Sequence, residues 1–234
     1  MGQVFQFKQF AVDQNNCPMR INTDGVLLGA ITNEKNPKNI LDLGTGTGVI
    51  ALMLAQQYTD ANVWAVEIDH LASETGKMNF ANSPFTERMN LVHTDIFQWN
   101  TSDEFDLIVS NPPFYINSLH NPDERKKIAK HADDTFFNGM MQFAHKHLSE
   151  QGNLQIIVPI EHLDFLLEDA SANGLHLNKQ INIHSFDDSD CFRCILKFSR
   201  EDLPMEESRF VIYKDRGVYS EAYKGLLQPY FLAF

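Results

Sequence analysis

The sequence has 234 residues, 43% of them hydrophobic and 11% aromatic, and its 31 acidic and 19 basic residues give a formal net charge of −12. This composition excludes a disordered or collagen-like chain, and the length suffices for one α/β domain that folds without disulfides or metal. Because the net charge repels polyanions, a nucleic-acid partner requires a local basic patch.

Neither secretion nor membrane insertion is expected. The longest apolar run, 49–55, is too short to cross a bilayer, and the first residues contain no signal-peptide core. The three cysteines form no disulfide framework. We expect a cytoplasmic protein without membrane association, and a monomer, although the sequence leaves the oligomeric state open.

Short apolar runs alternate with helical periodicity from residue 39 onward. The sequence predicts strands at 39–43, 62–68, 89–93, 105–110 and 154–158 and helices at 49–58, 71–82, 133–148 and 163–172. Two later runs, 177–183 and 191–198, flank an acidic turn and predict an antiparallel hairpin, and 209–213 predicts another strand before a short helix. This pattern is typical of an α/β fold with a doubly wound, mostly parallel, Rossmann-like seven-stranded sheet and a terminal antiparallel hairpin.

The chain contains no repeat, low-complexity segment or linker. We therefore expect a single domain over 1–234, with an N-terminal segment at 1–36, the core sheet at 37–200 and a C-terminal extension at 201–234. The N-terminal segment is expected on the ligand side of the sheet.

A glycine-rich turn, Gly44-Thr-Gly-Thr-Gly48, follows the first of these strands. Ligands of doubly wound sheets bind outside the carboxyl ends of the strands, and glycines let them approach the backbone. Asp42, Glu67, Asp95 and Asn111 also lie at or near such ends. Glu67 comes about 20 residues after the first glycine, where a carboxylate can accept hydrogen bonds from the hydroxyls of an adenosine ribose. A tight turn without a ligand is the alternative for the glycines alone.

Two features of this turn region distinguish between cofactors. A nicotinamide fingerprint requires a third glycine where Val49 stands. The acidic side chains Asp42, Glu67 and Asp95 suit a cationic ligand without phosphates, and S-adenosylmethionine carries a sulfonium and an ammonium group. The sequence therefore predicts an S-adenosylmethionine site and disfavours a nicotinamide dehydrogenase.

The most specific motif is Asn111-Pro-Pro-Phe114, directly after the fourth predicted strand. An exocyclic adenine amine is hard to methylate because its lone pair is delocalised into the ring. The Asn111 side-chain oxygen and the Pro112 carbonyl can accept both N–H groups and direct that lone pair at a methyl donor, and Phe114 can stack on the base. Asn111, Pro112 and Phe114 are thus the candidate catalytic residues, and a simple turn is the alternative.

With these motifs the sequence resembles the class I N6-adenine methyltransferases that carry N-P-P-F/Y, and within them the bacterial tRNA adenine-37 N6-methyltransferases acting on valine tRNA. The resemblance runs along nearly the whole chain and includes 7–10, 19–30, 219–223 and 229–232. It implies that 19–30 packs beside the methionine end of the cofactor, that Glu67 holds the ribose and that Asp95 lies near the adenine. The implied cofactor-binding residues are Asp24, Asp42, Gly44, Thr45, Gly46, Gly48, Glu67, Ile68, Asp95, Ile96 and Asn111.

One residue departs from the family pattern. Asn22 stands where we expect glycine. Asparagine tolerates left-handed backbone, so the departure casts little doubt on this loop.

The N-P-P-F motif determines the chemistry better than the substrate. It also occurs in methyltransferases of glutamine amides in release factors, of rRNA and of DNA, and these remain alternatives to N6-methylation of a tRNA adenine. A non-catalytic RNA-binding relative is expected to have lost the Asn111 motif or the glycine turn, and both are intact.

A basic stretch with Arg125, Lys126, Lys127 and Lys130 follows the catalytic motif. We expect a loop to carry these residues to the rim of the site, where they contact phosphates of tRNA. A solvated helix face is the alternative.

No metal site is predicted. Cys191-Phe-Arg-Cys194 has the spacing of a metal-ligand pair. Residues i and i+3 of a strand point to opposite faces, so we expect two core cysteines whose sulfurs lie apart.

Overall fold

The computed structural model describes residues 4–112 and 122–234, with side chains in the second range from residue 135 onward. The strands are β1 Val4–Gln6, β2 Ala11–Asp13, β3 Asn39–Leu43, β4 Asn62–Glu67, β5 Met89–His93, β6 Phe105–Ser110, β7 Leu148–Pro159, β8 His176–His184, β9 Cys191–Ser199, β10 Glu206–Val211, β11 Tyr213–Asp215 and β12 Val218–Tyr219. The α-helices are α1 Thr23–Ile31, α2 Val49–Gln57, α3 His70–Ala81, α4 Pro122–His147, α5 Leu163–Ala172 and α6 Glu221–Leu227.

The main sheet has eight strands in the order β10-β8-β9-β7-β6-β3-β4-β5. The five strands from β7 to β5 are parallel, and β9 runs antiparallel to both β7 and β8. The doubly wound sheet and its antiparallel hairpin are therefore confirmed. The sheet has one strand more than the predicted seven. This strand, β10, overlaps the run predicted as a strand at 209–213 and pairs in parallel with β8 at the edge of the sheet.

Helices cover both faces of this sheet. Ile40 of β3 belongs to a core that includes the buried side chains of α1 and α2. Its neighbour Leu41 belongs to a second core with those of α4 and α5. Both side chains are fully buried, and each such side chain contributes about 1.5–3 kcal/mol of hydrophobic stabilisation.

The two ends of the chain pack against each other. β1 and β2 form an antiparallel hairpin, and Phe7 bridges Phe231 with ring centroids 5.6 Å apart. The Lys8 ammonium donates to the carbonyls of Gln228 at 2.6 Å and Phe234 at 2.8 Å. The motifs at 7–10 and 229–232 thus contact each other and share the core that contains α1 and α2.

Helix α1 was not predicted, and Asn22 is its N-cap. The Asn22 side-chain oxygen accepts a hydrogen bond from the Gly25 amide at 2.8 Å, and its backbone φ of −131° is extended. The left-handed conformation that asparagine tolerates is therefore not needed at this position. Asparagine suits this position because its short side chain satisfies a free N–H group at the start of the helix.

Helix α4 begins at Pro122, eleven residues before the predicted start. The sequence 121–124, Asn-Pro-Asp-Glu, carried the missed signals: a capping residue, proline at the first helical position and acidic residues in the first turn. Arg125, Lys126, Lys127 and Lys130 thus belong to a helix, and the expectation of a loop is wrong.

A bulge in β9 brings the two cysteines of the C-x-x-C motif together. The pairing register shifts between Ile183 and His184, which leaves Phe192 as an extra residue in β9. The sulfurs of Cys191 and Cys194 lie 3.8 Å apart. The expectation that these sulfurs lie apart is wrong because the extra residue restores both side chains to one face.

The described ranges contain neither a membrane-spanning helix nor a metal-binding cluster. There, no helix is long and apolar enough to span a membrane. In the same ranges, no three His, Cys, Asp or Glu side chains lie close enough together to hold a metal ion.

Candidate active site

The strand register brings the predicted site residues to one edge of the sheet. Leu43, the last residue of β3, pairs with Val66 of β4 and with Ser110 of β6. The residues that follow these positions, Gly44, Glu67 and Asn111, are therefore neighbours across the carboxyl edge. Sheet register alone thus assembles three motifs that lie far apart in the sequence.

A cavity of about 370 Å³ opens at this edge, within the size range of small-molecule sites. It is lined by nine of the predicted site residues: Gly44, Thr45, Gly46, Glu67, Ile68, Asp95, Ile96, Asn111 and Pro112. The cavity therefore joins the predicted cofactor loop to the described part of the N-P-P-F motif. Phe114 lies outside the described residues.

The glycine turn leaves room for a ligand. Gly44 and Gly46 have φ values of 69° and 55°, and a Cβ atom on either would meet no described atom within 4 Å. The amides of Gly44 and Thr45 donate to the Val66 carbonyl at 2.9 and 3.1 Å. The turn is thus held from the β4 side while its outer face stays open.

Gly48 has a different role from the other two glycines. It has a φ of 83°, and a Cβ atom there would lie 2.5 Å from the Phe80 ring. It does not line the cavity. Glycine is required at this position by backbone conformation and packing against α3, and its role in cofactor binding stays a prediction.

Glu67 presents a fixed carboxylate to the cavity. One oxygen accepts from the Gly46 amide at 2.8 Å and the other from the Asp69 amide at 2.9 Å. The residue is 8% exposed. Because each carboxylate oxygen has a further acceptor site, both can also accept a ligand hydroxyl.

Asp42 lies beneath the turn, fully buried, and does not line the cavity. One carboxylate oxygen accepts from the Thr45 hydroxyl at 2.6 Å and the Ala51 amide at 3.2 Å. The other, Oδ1, has no hydrogen-bond partner among the described residues. Burial raises the pKa of Asp42 to about 7. These contacts position the turn, and the role of Asp42 in cofactor binding stays a prediction.

The raised pKa of Asp42 gives folding stability a pH dependence of defined sign. The carboxyl titrates at about 3.9 in an unfolded chain and at about 7 here, so the native state binds the proton more tightly. The resulting stabilisation is complete below about pH 4 and is lost as the pH rises through about 7. We expect Asp42→Asn to remove this loss, so that its free energy of unfolding changes less than that of wild type between about pH 5 and pH 8.

Urea denaturation at both pH values measures this difference. Asp188→Asn, at an exposed aspartate, serves as the control and should behave like wild type. Equal pH dependence in wild type and Asp42→Asn would contradict the assignment.

Asn111 lies where β6, β3 and α1 meet. The Ser110 hydroxyl donates to the Leu43 carbonyl at 2.9 Å and anchors the end of β6 on β3. A Cβ atom on Gly25 would lie 3.6 Å from Asn111 Nδ2. The first turn of α1 therefore forms one wall beside the Asn111 side chain.

Asp24 does not face the cavity. Its carboxylate accepts from Arg193 Nε at 2.9 Å, and this ion pair is mostly buried, with 18% and 28% of the two side chains exposed. Gly25 and Asn22 line the cavity in its place. This ion pair ties α1 to β9, and the role of Asp24 in cofactor binding stays a prediction.

Sequence comparison places these residues in a family. The family model described as the methyltransferase small domain matches residues 22–166, which include the glycine turn and Asn111. A protein of Pedobacter heparinus named tRNA1(Val) (adenine(37)-N6)-methyltransferase is 43% identical over 234 residues, which cover 100% of both chains. The chain belongs to the family of tRNA1(Val) (adenine(37)-N6)-methyltransferases.

Solved structures of more distant proteins share the fold. A predicted O-methyltransferase of Agrobacterium tumefaciens aligns with a TM-score of 0.69 at 16% identity, covering 88% of this chain and 96% of that one. A glycopeptide N-methyltransferase complexed with S-adenosylmethionine aligns with a TM-score of 0.55 at 13% identity, covering 80% and 100%. At these identities the likeness concerns the fold alone.

Two aromatic residues of the cavity in this family member were missed. Phe97 and Phe136 line the cavity with ring centroids 5.9 Å apart, and neither was assigned to the site from the sequence. Phe97 is 48% exposed. It follows Asp95 by two residues, and this position just beyond a strand end was the signal that could have identified it.

The predicted RNA-contacting residues lie on helix α4. Arg125, Lys126, Lys127 and Lys130 belong to the α4 backbone, and their side chains lie outside the described residues. Their contact with tRNA therefore stays a prediction.

Proposed function

We propose that this chain transfers a methyl group from S-adenosylmethionine to N6 of an adenine in tRNA. We further propose adenine 37 of tRNA1(Val), the target that the name of its Pedobacter heparinus relative gives for that protein. One observation carries the proposal: Asn111 and Pro112 open onto the same cavity as the glycine turn and Glu67. A methyl donor and an acceptor amine can therefore meet there.

The residues present fit S-adenosylmethionine. The open positions beside Gly44 and Gly46 can accept the body of the cofactor, and the two anchored oxygens of Glu67 can accept its ribose hydroxyls. Ile68, which is 66% exposed, and Phe97 offer apolar surface to an adenine ring. Acidic Glu67 and Asp95 suit a cation, and Asp95 is fixed by accepting from the Phe97 amide at 2.9 Å.

The chemistry divides between cofactor and protein. Bound S-adenosylmethionine would supply an electrophilic methyl group on a sulfonium. Asn111 Oδ1 and the Pro112 carbonyl would accept the two N–H groups of the adenine amine and orient its lone pair, a form of electrostatic preorganisation. No strong base is required because the methylated nitrogen loses its extra proton readily to water.

Methyl transfer with purified protein tests the proposal. Labelled S-adenosylmethionine is supplied with tRNA from a strain lacking the gene or, separately, with a release-factor peptide that contains glutamine. We expect label in N6-methyladenosine of the tRNA. Label in the glutamine amide would identify the alternative, and transfer to neither substrate would contradict the proposal.

We infer that the whole chain acts as one methyltransferase domain. Because tRNA is the proposed substrate, we place this domain in the cytoplasm. The net charge of −12 requires the attraction for tRNA to be local. The basic stretch of α4 begins about ten residues after the catalytic motif in the sequence and is the proposed site of phosphate binding.

Replacement of Arg125, Lys126, Lys127 and Lys130 by glutamine tests this role. We expect weaker tRNA binding, and the slope of log affinity against log salt should fall by about 0.7–0.9 for each phosphate that the variant no longer neutralises. Titration of labelled tRNA at several salt concentrations measures both quantities, while the affinity for S-adenosylhomocysteine should not change.

A control lies in the C-terminal part, where Lys214 and Arg216 are exposed. Glutamine at these two positions should leave the slope unchanged. If instead the α4 variant keeps its affinity and slope and the Lys214 and Arg216 variant loses them, the RNA contacts lie in the tail.

A further inference from the structure

Cys191 and Cys194 form a close pair of thiols that the methyl-transfer chemistry does not use. Their sulfurs lie 3.8 Å apart. Both approach the Asn182 side-chain oxygen, Cys194 at 3.4 Å and Cys191 at 3.8 Å. The two sulfurs and the Asn182 side chain therefore form one cluster that joins β9 to β8.

The β9 bulge sets the backbone distance between the two cysteines. With Phe192 as the extra residue, Cys191 and Cys194 are separated by about two regular strand steps, or ~6.6 Å between Cα atoms at about 3.3 Å per residue. Disulfides join Cα atoms about 4.4–6.8 Å apart. A bond between these cysteines is thus possible, near the long end of the range.

The two thiols differ in their surroundings. Cys194 is buried, and burial raises its pKa to about 12, whereas Cys191 is partly exposed. An oxidant can therefore reach Cys191 first, with Cys194 positioned as the second thiol. Glu207, which accepts from the Asn182 side-chain amide at 2.7 Å, further raises the pKa of Cys194.

The pair is linked to the candidate active site. Arg193 lies between the two cysteines, and its guanidinium holds Asp24 in the first turn of α1 at 2.9 Å. The next residue of that turn, Gly25, lies against Asn111 and lines the cavity. A change in the backbone around Arg193 therefore acts on the wall of the cavity.

We propose that Cys191 and Cys194 are an oxidation site at which peroxide closes an intrachain disulfide that loosens the α1 wall of the cavity. The Cys191 sulfur attacks a peroxide oxygen, the O–O bond breaks, and a sulfenic acid and water form. The Cys194 sulfur then attacks the Cys191 sulfur, and the hydroxyl leaves as a second water. Two thiols are oxidised by two electrons and one peroxide is reduced to two waters.

The proposed disulfide is reversible because a reductant can reach it. Cys191 is partly exposed, and exposed disulfides are reduced more readily than structural ones. The protein therefore stays in the dithiol form in a reducing compartment and closes the bond only when peroxide is present.

Thiol counting tests the chemistry on Cys17→Ser protein, in which only the pair remains; the protein is treated with peroxide while folded, and its thiols are counted after unfolding because Cys194 is buried. We expect peroxide to remove both titratable thiols, with loss of the mass of two hydrogen atoms, and dithiothreitol to restore both. The reduced protein should also bind one equivalent of phenylarsine oxide, and Cys194→Ser none. Two thiols that stay titratable, or sulfurs that only gain oxygen atoms, would overturn the proposal.

Calorimetry with S-adenosylhomocysteine tests the link to the cavity, which rests on the proposed function. We expect the oxidised protein to bind about fivefold more weakly than the reduced one, a modest coupling between two sites. Arg193→Gln should bind weakly already and show no further change on oxidation. Equal affinity of the oxidised and reduced proteins would overturn the link, whereas failure of the reduced protein to bind would refute the proposed function and leave the thiol result intact.

Discussion

Asn111→Ala is expected to lower the rate of tRNA methylation by a factor of about 10² to 10³. This corresponds to about 2.7–4 kcal/mol of transition-state stabilisation, by analogy with the loss of one oxyanion-hole donor. The physical reason is that Asn111 Oδ1 would orient the acceptor amine without contacting the body of the cofactor. The affinity for S-adenosylhomocysteine should therefore stay within a few fold of wild type.

Single-turnover methylation and calorimetry on the same preparation separate these two effects. Asn90→Ala, the same substitution at an exposed position of β5, is the matched control and should leave both quantities unchanged. Near-normal turnover in Asn111→Ala would refute the role in catalysis. Loss of cofactor affinity in parallel with turnover would instead assign Asn111 to cofactor binding.

Glu67→Ala is expected to weaken S-adenosylhomocysteine binding by about 1.5–3 kcal/mol, or roughly ten- to more than a hundredfold. The variant would lose the charge-assisted hydrogen bonds to the ribose hydroxyls. NAD should bind neither wild type nor variant. Isothermal titration calorimetry measures the change, with Glu104→Ala at an exposed glutamate as the control.

Glu67 also accepts from the Gly46 and Asp69 amides, so its removal disturbs the turn as well. A cofactor analogue without the two ribose hydroxyls separates the two contributions. If Glu67 binds the ribose, Glu67→Ala should weaken binding of the intact cofactor far more than binding of this analogue. Equal losses would show that Glu67 acts only by shaping the turn, and unchanged affinity would refute its assignment to the cofactor.

The central part of the fold could be predicted because strand ends are marked by residues that cannot continue a strand. Gly44 follows β3 and Pro112 follows β6 by two positions, and both parallel strands, NILDL and FDLIVS, are mostly apolar. Parallel pairing then requires the residues after these strands to share one edge. The neighbourhood of Gly44, Glu67 and Asn111 followed from this rule alone.

The N-terminal region could not be predicted in the same way. β1 and β2 are three residues each, too short for a hydrophobic period to emerge. Helix α1 is buried along most of its length, so its residues show no polar face and no amphipathic pattern. Contacts with distant parts of the chain, including Phe231 and Arg193, determine this region.

The roles of individual site residues were predicted less well than their location. Asp42 and Asp24 lie close to the cavity as expected, but their carboxylates point at Thr45 and Arg193. A sequence motif shows that a residue belongs to a site without showing which neighbour its side chain reaches. The prediction that the sulfurs of Cys191 and Cys194 lie apart failed for a related reason. A single bulge changes which face of the strand the following side chains point to.

The central claim is methylation of adenine N6 in tRNA, and mass spectrometry of tRNA from a strain lacking this gene tests it most directly. Total tRNA is digested to fragments, and N6-methyladenosine is mapped by sequence. We predict that the methyl group disappears from adenine 37 of tRNA1(Val), the target named for the relative, and returns with the wild-type gene but not with Asn111→Ala. A strain that keeps N6-methyladenosine in all its tRNA fragments would contradict this claim.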